Sequence, residues 1–147
     1  MRPITMTLVM LLLVACGNSA SDPEDALREW VARGEAAAEA KDRGDLLELI
    51  SDDYLDSRSN NREQIGDILR LYFLRQQSIE LLTSIDEIVF FDDTAARIAL
   101  TVGMAGTNAG AWGFRADAYR FDLELHRVDS EWLLIGARWG ELGGEMH

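Results

Sequence analysis

The apolar pattern of this chain changes period once, at Ser78, and that change decides its architecture. Before it, Ile65, Ile68, Leu69, Tyr72 and Phe73 recur at intervals of three and four, the repeat of a helix with one buried stripe. After it, apolar and polar residues alternate. Ile98, Leu100, Val102 and Met104 point one way and Arg97 and Thr101 the other, while Tyr119, Phe121, Leu123 and Leu125 oppose Arg120, Asp122, Glu124 and His126. Such alternation suits an antiparallel sheet with one wet face. A helical half followed by an alternating half predicts an α+β fold with the helices on the apolar sheet face.

The punctuation supplies the elements. Ser21, Asp22, Pro23 and Glu24 open a helix whose apolar stripe is Leu27, Trp30, Val31, Gly34 and Ala38, with Lys41, Arg43 and Gly44 toward its end. Asp45 is the expected cap of a short second helix, Leu46 to Ile50, which Asp52 and Asp53 stop. Tyr54 to Arg58 reads as a short strand, and Asn61 with Gln64, or Asn60 with Glu63, starts the third helix. Four long strands follow: Ile79 to Phe91, Ala95 to Gly106, Arg115 to Val128 and Glu131 to Trp139. Turn residues Asp92 to Thr94 and Asp129 with Ser130 make two hairpins, and Thr107 to Gly113 is a Gly/Ala-rich connection between them. Residues 23–140 form one domain, and 141–147 read as a flexible tail.

Charge and composition exclude several classes of function. Fourteen Lys and Arg against twenty-six Asp and Glu give a net charge of −12, which argues against nucleic acid and against anionic lipid as a binding surface. One cysteine and two histidines cannot build a disulfide framework or a Cys/His zinc site. The GTNAGAWG stretch lacks a phosphate-loop lysine, and no Gly-x-Ser-x-Gly elbow is present, so no cofactor is expected. Asp52, Asp53 and Asp56 lack the glycine and distal glutamate of a calcium loop, so no metal is expected either.

The amino terminus reads as an address. Arg2 precedes an apolar run from Ile4 to Val14, short of the roughly 20 residues a spanning helix needs, and the run ends in LVAC. That tetrapeptide resembles a bacterial lipobox. The resemblance implies a signal peptide over residues 1–15, a lipidated Cys16, and a short tether over 16–22. Gly17 stands where an aspartate would imply retention at the inner membrane, so the implied location is the outer membrane, facing the periplasm.

The stretch GDLLELISDDYLD, the capped third helix and the closing hairpin YRFDLELHRVDSEWLLIGARW resemble the nuclear transport factor 2 superfamily, with its ketosteroid isomerases, scytalone dehydratases and SnoaL-like polyketide cyclases. The likeness implies a cone: three helices on a strongly curved antiparallel sheet, with a pocket between the layers. Matching Gly44, Asp45, Leu46 and the Asp52–Asp53 pair to the isomerase branch places its base at Arg58 and its tyrosine at Ala37, neither of which can act so. Its later aspartate falls on Asp117 or Asp122. The paired histidines of the dehydratases are not met, because His147 lies in the tail.

The expected function is therefore a non-enzymatic, lipid-anchored domain that binds a small apolar ligand or a periplasmic protein. Trp30, Tyr72, Trp112, Phe114, Tyr119 and Trp139 are the candidate pocket residues. The alternative is a lyase or isomerase using Asp117 or Asp122, with Arg120 as electrostatic stabiliser and His126 nearby. A homodimer through the outer sheet face would meet Arg97, Arg120, Asp122, Glu124 and His126 and be salt-sensitive.

Overall fold

A computed structural model describes residues 22–108 and 114–147. The order is α1 (Pro23–Glu39), α2 (Arg43–Glu48), α3 (Arg62–Arg75), β1 (Gln76–Phe90), β2 (Ala95–Asn108), β3 (Phe114–Val128) and β4 (Glu131–Glu141). The four strands form one antiparallel sheet in sequence order, and the three helices precede it. This is the α+β arrangement expected from the change of period.

Local chemistry sets the helix ends. Asp22 accepts the Glu24 N–H at 3.0 Å, Pro23 occupies the first turn, and Glu24 and Asp25 put negative charge at the positive end of the α1 dipole. The helix stops earlier than its glycine suggested: the left-handed residue is Lys41, with φ 54°, and Gly44 lies inside α2. Asp42, rather than Asp45, caps α2, because its carboxylate reaches the Asp45 N–H at 3.0 Å. In α3, Asn61 and Gln64 form the complete capping box. Arg62 then turns back to donate to the Leu47 and Ile50 carbonyls at 2.8–3.1 Å, tying the start of α3 to the end of α2. Gly66 lets the two helices close, since a Cβ there would stand 3.3 Å from Leu47 Cδ1.

The sheet alternates as its sequence does. Ile98, Leu100 and Val102 of β2 share the inner face with Leu123 and Leu125 of β3 and with Leu134 and Ala137 of β4, and Leu27, Val31 and Tyr54 close over them. Irregularities between Gln76 and Ser78, Ile85 and Glu87, and Glu124 and Leu125 interrupt the ladder, and such bulges bend strands. Asp129 and Ser130, at φ 49° and 71°, make the two-residue turn that matches strand twist. At the other hairpin the Thr94 N–H and hydroxyl bond Asp92 and hold its carboxyl below the usual value.

The two sheet edges are treated differently. Residues 49–57 run beside β4 and exchange backbone bonds with it: Ser51 N–H to Leu134 O at 2.9 Å, Leu134 N–H to Leu49 O at 2.9 Å, and Leu55 and Ser57 N–H to Ile135 and Ala137 at 3.1 Å. Of the strand expected at Tyr54 to Arg58 only the isolated bridge Leu55 to Asn61 remains, and a second bridge, Ile50 to Leu134, lies before it. At β1, Glu39 accepts the Leu81 N–H at 2.8 Å and Lys41 donates to the Gln76 and Gln77 carbonyls at 3.1 and 3.3 Å.

The tail is tied down, contrary to the flexible reading of 141–147. Leu142 N–H bonds Ala118 O at 2.9 Å, and Trp139 and His147 exchange N–H to O bonds at 3.2 Å. Gly140 makes this fold-back possible, because a Cβ there would lie 2.3 Å from Glu145 O. Gly140→Ala is expected to detach the tail at a cost of about 1–3 kcal/mol. Hydrogen exchange checks it: the His147 amide should lose protection while the Leu125 amide keeps it.

An aromatic row on the inner sheet face

The inner face changes character along β3. Leu123 and Leu125 are buried against the helices, whereas Phe121, Tyr119 and Asp117, next in the same alternation, are only partly covered. Register sets Phe121 between Leu100 and Trp139, Tyr119 between Val102 and Glu141, and Asp117 opposite Met104. The Phe121 and Trp139 rings stack with centroids 6.5 Å apart at 24°, and Tyr119 meets Phe121 at 6.4 Å and 50°. Arg58 places its guanidinium 4.8 Å from the Trp139 centroid. The result is a row of three aromatic rings with a cation at one end.

A buried carboxylate positions that cation. Asp56, 6% exposed, accepts from the Arg58 N–H at 2.9 Å, the Asn60 N–H at 2.8 Å and Asn60 Nδ2 at 3.0 Å. Ser59 adopts φ 64° to close the loop. Tyr54, 3% exposed, bonds Asp56 through its phenol. Burial, then the Asp56 charge, then that hydrogen bond push the phenol well above its ordinary value, so it remains a protonated donor. The polar loop is therefore satisfied internally and presents Arg58 to the row.

Tyr119 and Trp139 of the expected pocket residues enter this row. Trp30 packs from α1 against the core, with its buried Nε1 unmatched among the described residues. Tyr72 is 38% exposed on α3, its ring 6.3 Å from Phe73. Phe114 begins β3 opposite Thr107, while Trp112 and Cys16 lie outside the described residues. Phe121, Arg58 and Asp56 are additions. Phe121 could have been found by its parity with Tyr119, and Tyr54, Asp56 and Arg58 by their own alternation in YLDSR.

The alternative catalytic group is divided by the sheet. Asp117 shares the inner parity, but Arg120, Asp122 and His126 pair with Thr101, Ala99 and Ala95 on the outer face. Asp122 there binds Arg138 at 3.0 Å, and His126 is exposed. Period two forbids one site from both sets. Outer-face charges instead pair across strands, Arg97 with Glu87 at 2.9 Å and Asp86 with the Thr101 hydroxyl at 2.8 Å. Among the described residues no cluster of three His, Cys, Asp or Glu could hold a metal, and no helix is long and apolar enough to cross a membrane.

Neither the family models nor the curated proteins include a match. Solved structures match well. A Novosphingobium aromaticivorans protein named after scytalone dehydratase superposes with a TM-score of 0.76 at 12% identity, over 84% of this chain and 85% of that one. A ketosteroid isomerase-like protein from Erwinia carotovora atroseptica gives 0.69 at 12%, over 83% and 98%. A Streptomyces avermitilis protein of the NTF2-like family, named as a dehydratase, gives 0.70 at 9%, over 81% and 96%. The fold is therefore that of the nuclear transport factor 2-like proteins, among whose solved members dehydratase and isomerase names recur.

Proposed function

We propose that this chain is a lipid-anchored domain of the bacterial outer membrane, facing the periplasm, whose inner sheet face binds a small apolar, planar ligand. The observation that carries the binding reading is the Tyr119–Phe121–Trp139 row capped by Arg58. Arg58 occupies the position that the isomerase likeness assigns to a base, and a guanidinium keeps its proton at neutral pH. What the row offers is stacking surface, with a cation for any π-system or anionic edge at its end. Thermal melts against sterols, fatty acids and polycyclic aromatics test this. A ligand at about 100 times its Kd adds about 2.7 kcal/mol to stability. Trp139→Ala should abolish the rise in Tm given by the planar compounds, and a rise that survives this substitution counts against the row.

The anchor rests on LVAC and the preceding apolar run. Cys16→Ser removes the thiol that would carry the diacylglycerol, and more than one acyl chain is the condition for stable attachment. Metabolic labelling with a fatty-acid analogue should mark the parent chain and not the variant. Label on the variant, or none on the parent, would sink the anchor.

A second reading, a lyase or isomerase, is favoured by one observation: Asp117 lies on the inner face beside Tyr119, in a fold whose neighbours carry dehydratase and isomerase names. In that case Asp117→Asn should abolish turnover of a bound compound while leaving its thermal stabilisation in place.

A further inference from the structure

Residues 49–57 cover the β4 edge of the sheet, but among the described residues β1 pairs with β2 alone. In an antiparallel ladder, residues of one face belong to one pairing type, so alternate residues turn both N–H and C=O away from the partner. Leu81 identifies the outward set, because its N–H bonds Glu39 beyond the sheet. Thr83 and Ile85 share its face and therefore its direction. Lys41 and Glu39 occupy the start of this edge, at Gln76, Gln77 and Leu81.

Beyond Leu81 the edge opens into a groove of about 270 Å³ between helix and strand, lined by Val31, Ala32, Glu35, Ala36, Thr83 and Ile85. Its α1 wall is low because two of those residues are alanines. A strand laid beside β1 would send every second side chain into this groove and the others to the outer face, where Glu80, Leu82, Ser84 and Asp86 stand. Leu82 is 79% exposed there. β1 carries Glu80, Asp86 and Glu87, the last paired with Arg97 of β2, and no lysine, arginine or proline, so the charge along this edge is acidic. The groove adds Glu35 and Glu39, and its one cation, Arg28, is bonded to Glu24. The bulge between Ile85 and Glu87 sets the far limit of regular pairing.

We propose that this edge is a docking site for an extended basic polypeptide segment, which adds as a fifth strand along Leu81 to Ile85. Its small apolar side chains fill the α1–β1 groove, and its alternate lysines or arginines meet Glu80 and Asp86 on the outer face. Main-chain bonds supply affinity and the alternation supplies selectivity. This site is separate from the aromatic row, so it stands whether or not the inner face binds a ligand.

The test uses the full chain with two ten-residue probes, alternating Val-Lys and alternating Val-Glu, followed by calorimetry and amide exchange. The Val-Lys peptide should bind at least tenfold more tightly than Val-Glu and slow exchange at Thr83 and Ile85 at least tenfold. Thr83→Pro removes an outward N–H and no ladder bond, so it should weaken binding at least tenfold with an unchanged Tm. Glu80→Lys, which leaves the backbone intact, should also weaken it and keeps the test decisive if the proline variant fails to fold. Equal affinity for the two peptides, absence of binding, or binding indifferent to Glu80→Lys overturns the proposal. So does self-association of the chain that vanishes with Thr83→Pro, because the occupant would then be a second copy.

Discussion

Asp56→Ala is expected to destabilise the domain by about 3 kcal/mol, because it strands several partly buried donors at once. The Arg58 N–H, the Asn60 N–H and side-chain amide, and the Tyr54 phenol all lose their acceptor. Asp56→Asn should fall between, since its Oδ1 can still accept while its amide nitrogen faces the Asn60 amide. Chemical denaturation measures both. Alkaline pH provides a second readout. The Tyr54 value is raised on folding, so its contribution is complete below the ordinary phenol value near 10 and is lost as pH rises toward the folded value. Removing Asp56 deletes two of the three causes and leaves burial, the largest, so in the variant the alkaline loss should still begin near the ordinary phenol value but be smaller and level off at lower pH. Arg58 should also leave Trp139, and ligand stabilisation should decline with it. A variant as stable as the parent, with unchanged alkaline behaviour, would mean that the carboxylate does not organise this loop.

The fold was legible because its determinants are local and periodic. The change at Ser78, the Asn61–Gln64 box and the Asp129–Ser130 turn each depend on residues within a few positions of one another. Errors arose where two local signals competed. Gly44 looked like the end of α1, but Asp42 captures the Asp45 N–H and starts a new helix, which leaves Lys41 to take the left-handed turn. The tail is held by backbone groups, and backbone bonding leaves no mark on side-chain pattern.

The site was legible only by face. Alternation puts Tyr119 and Phe121 on one side and Arg120, Asp122 and His126 on the other, and the register places Asp117, grouped in the sequence with the second set, on the side of the first. What alternation does not give is the neighbour across the sheet. Trp139 reaches Phe121 through a ladder that skips one residue between Glu124 and Leu125, and Arg58 reaches Trp139 only because residues 49–57 pair with β4. Those are long-range facts, so Trp30 and Trp139 looked equivalent in the sequence and occupy different surroundings in the fold.

Leu27→Ala should cost about 2–5 kcal/mol, the range for emptying a well-packed leucine site. Leu27 is fully buried, and it belongs to the core cluster formed with Ile98, Leu125 and Trp132. Its loss leaves a cavity at the interface between helix layer and sheet, where the backbone on both sides is held by its own hydrogen bonds and cannot readily collapse. The effect should be polarised along α1. Near Leu27 the helix depends on apolar contact, whereas its far end is also held to β1 through Glu39 and Lys41. Amides around Leu27 should therefore lose more protection than those near Glu39, and the Leu81 amide should keep its bond. Loss of protection spread evenly over α1 would show instead that the helix docks as one rigid unit, with Glu39 and Lys41 adding little.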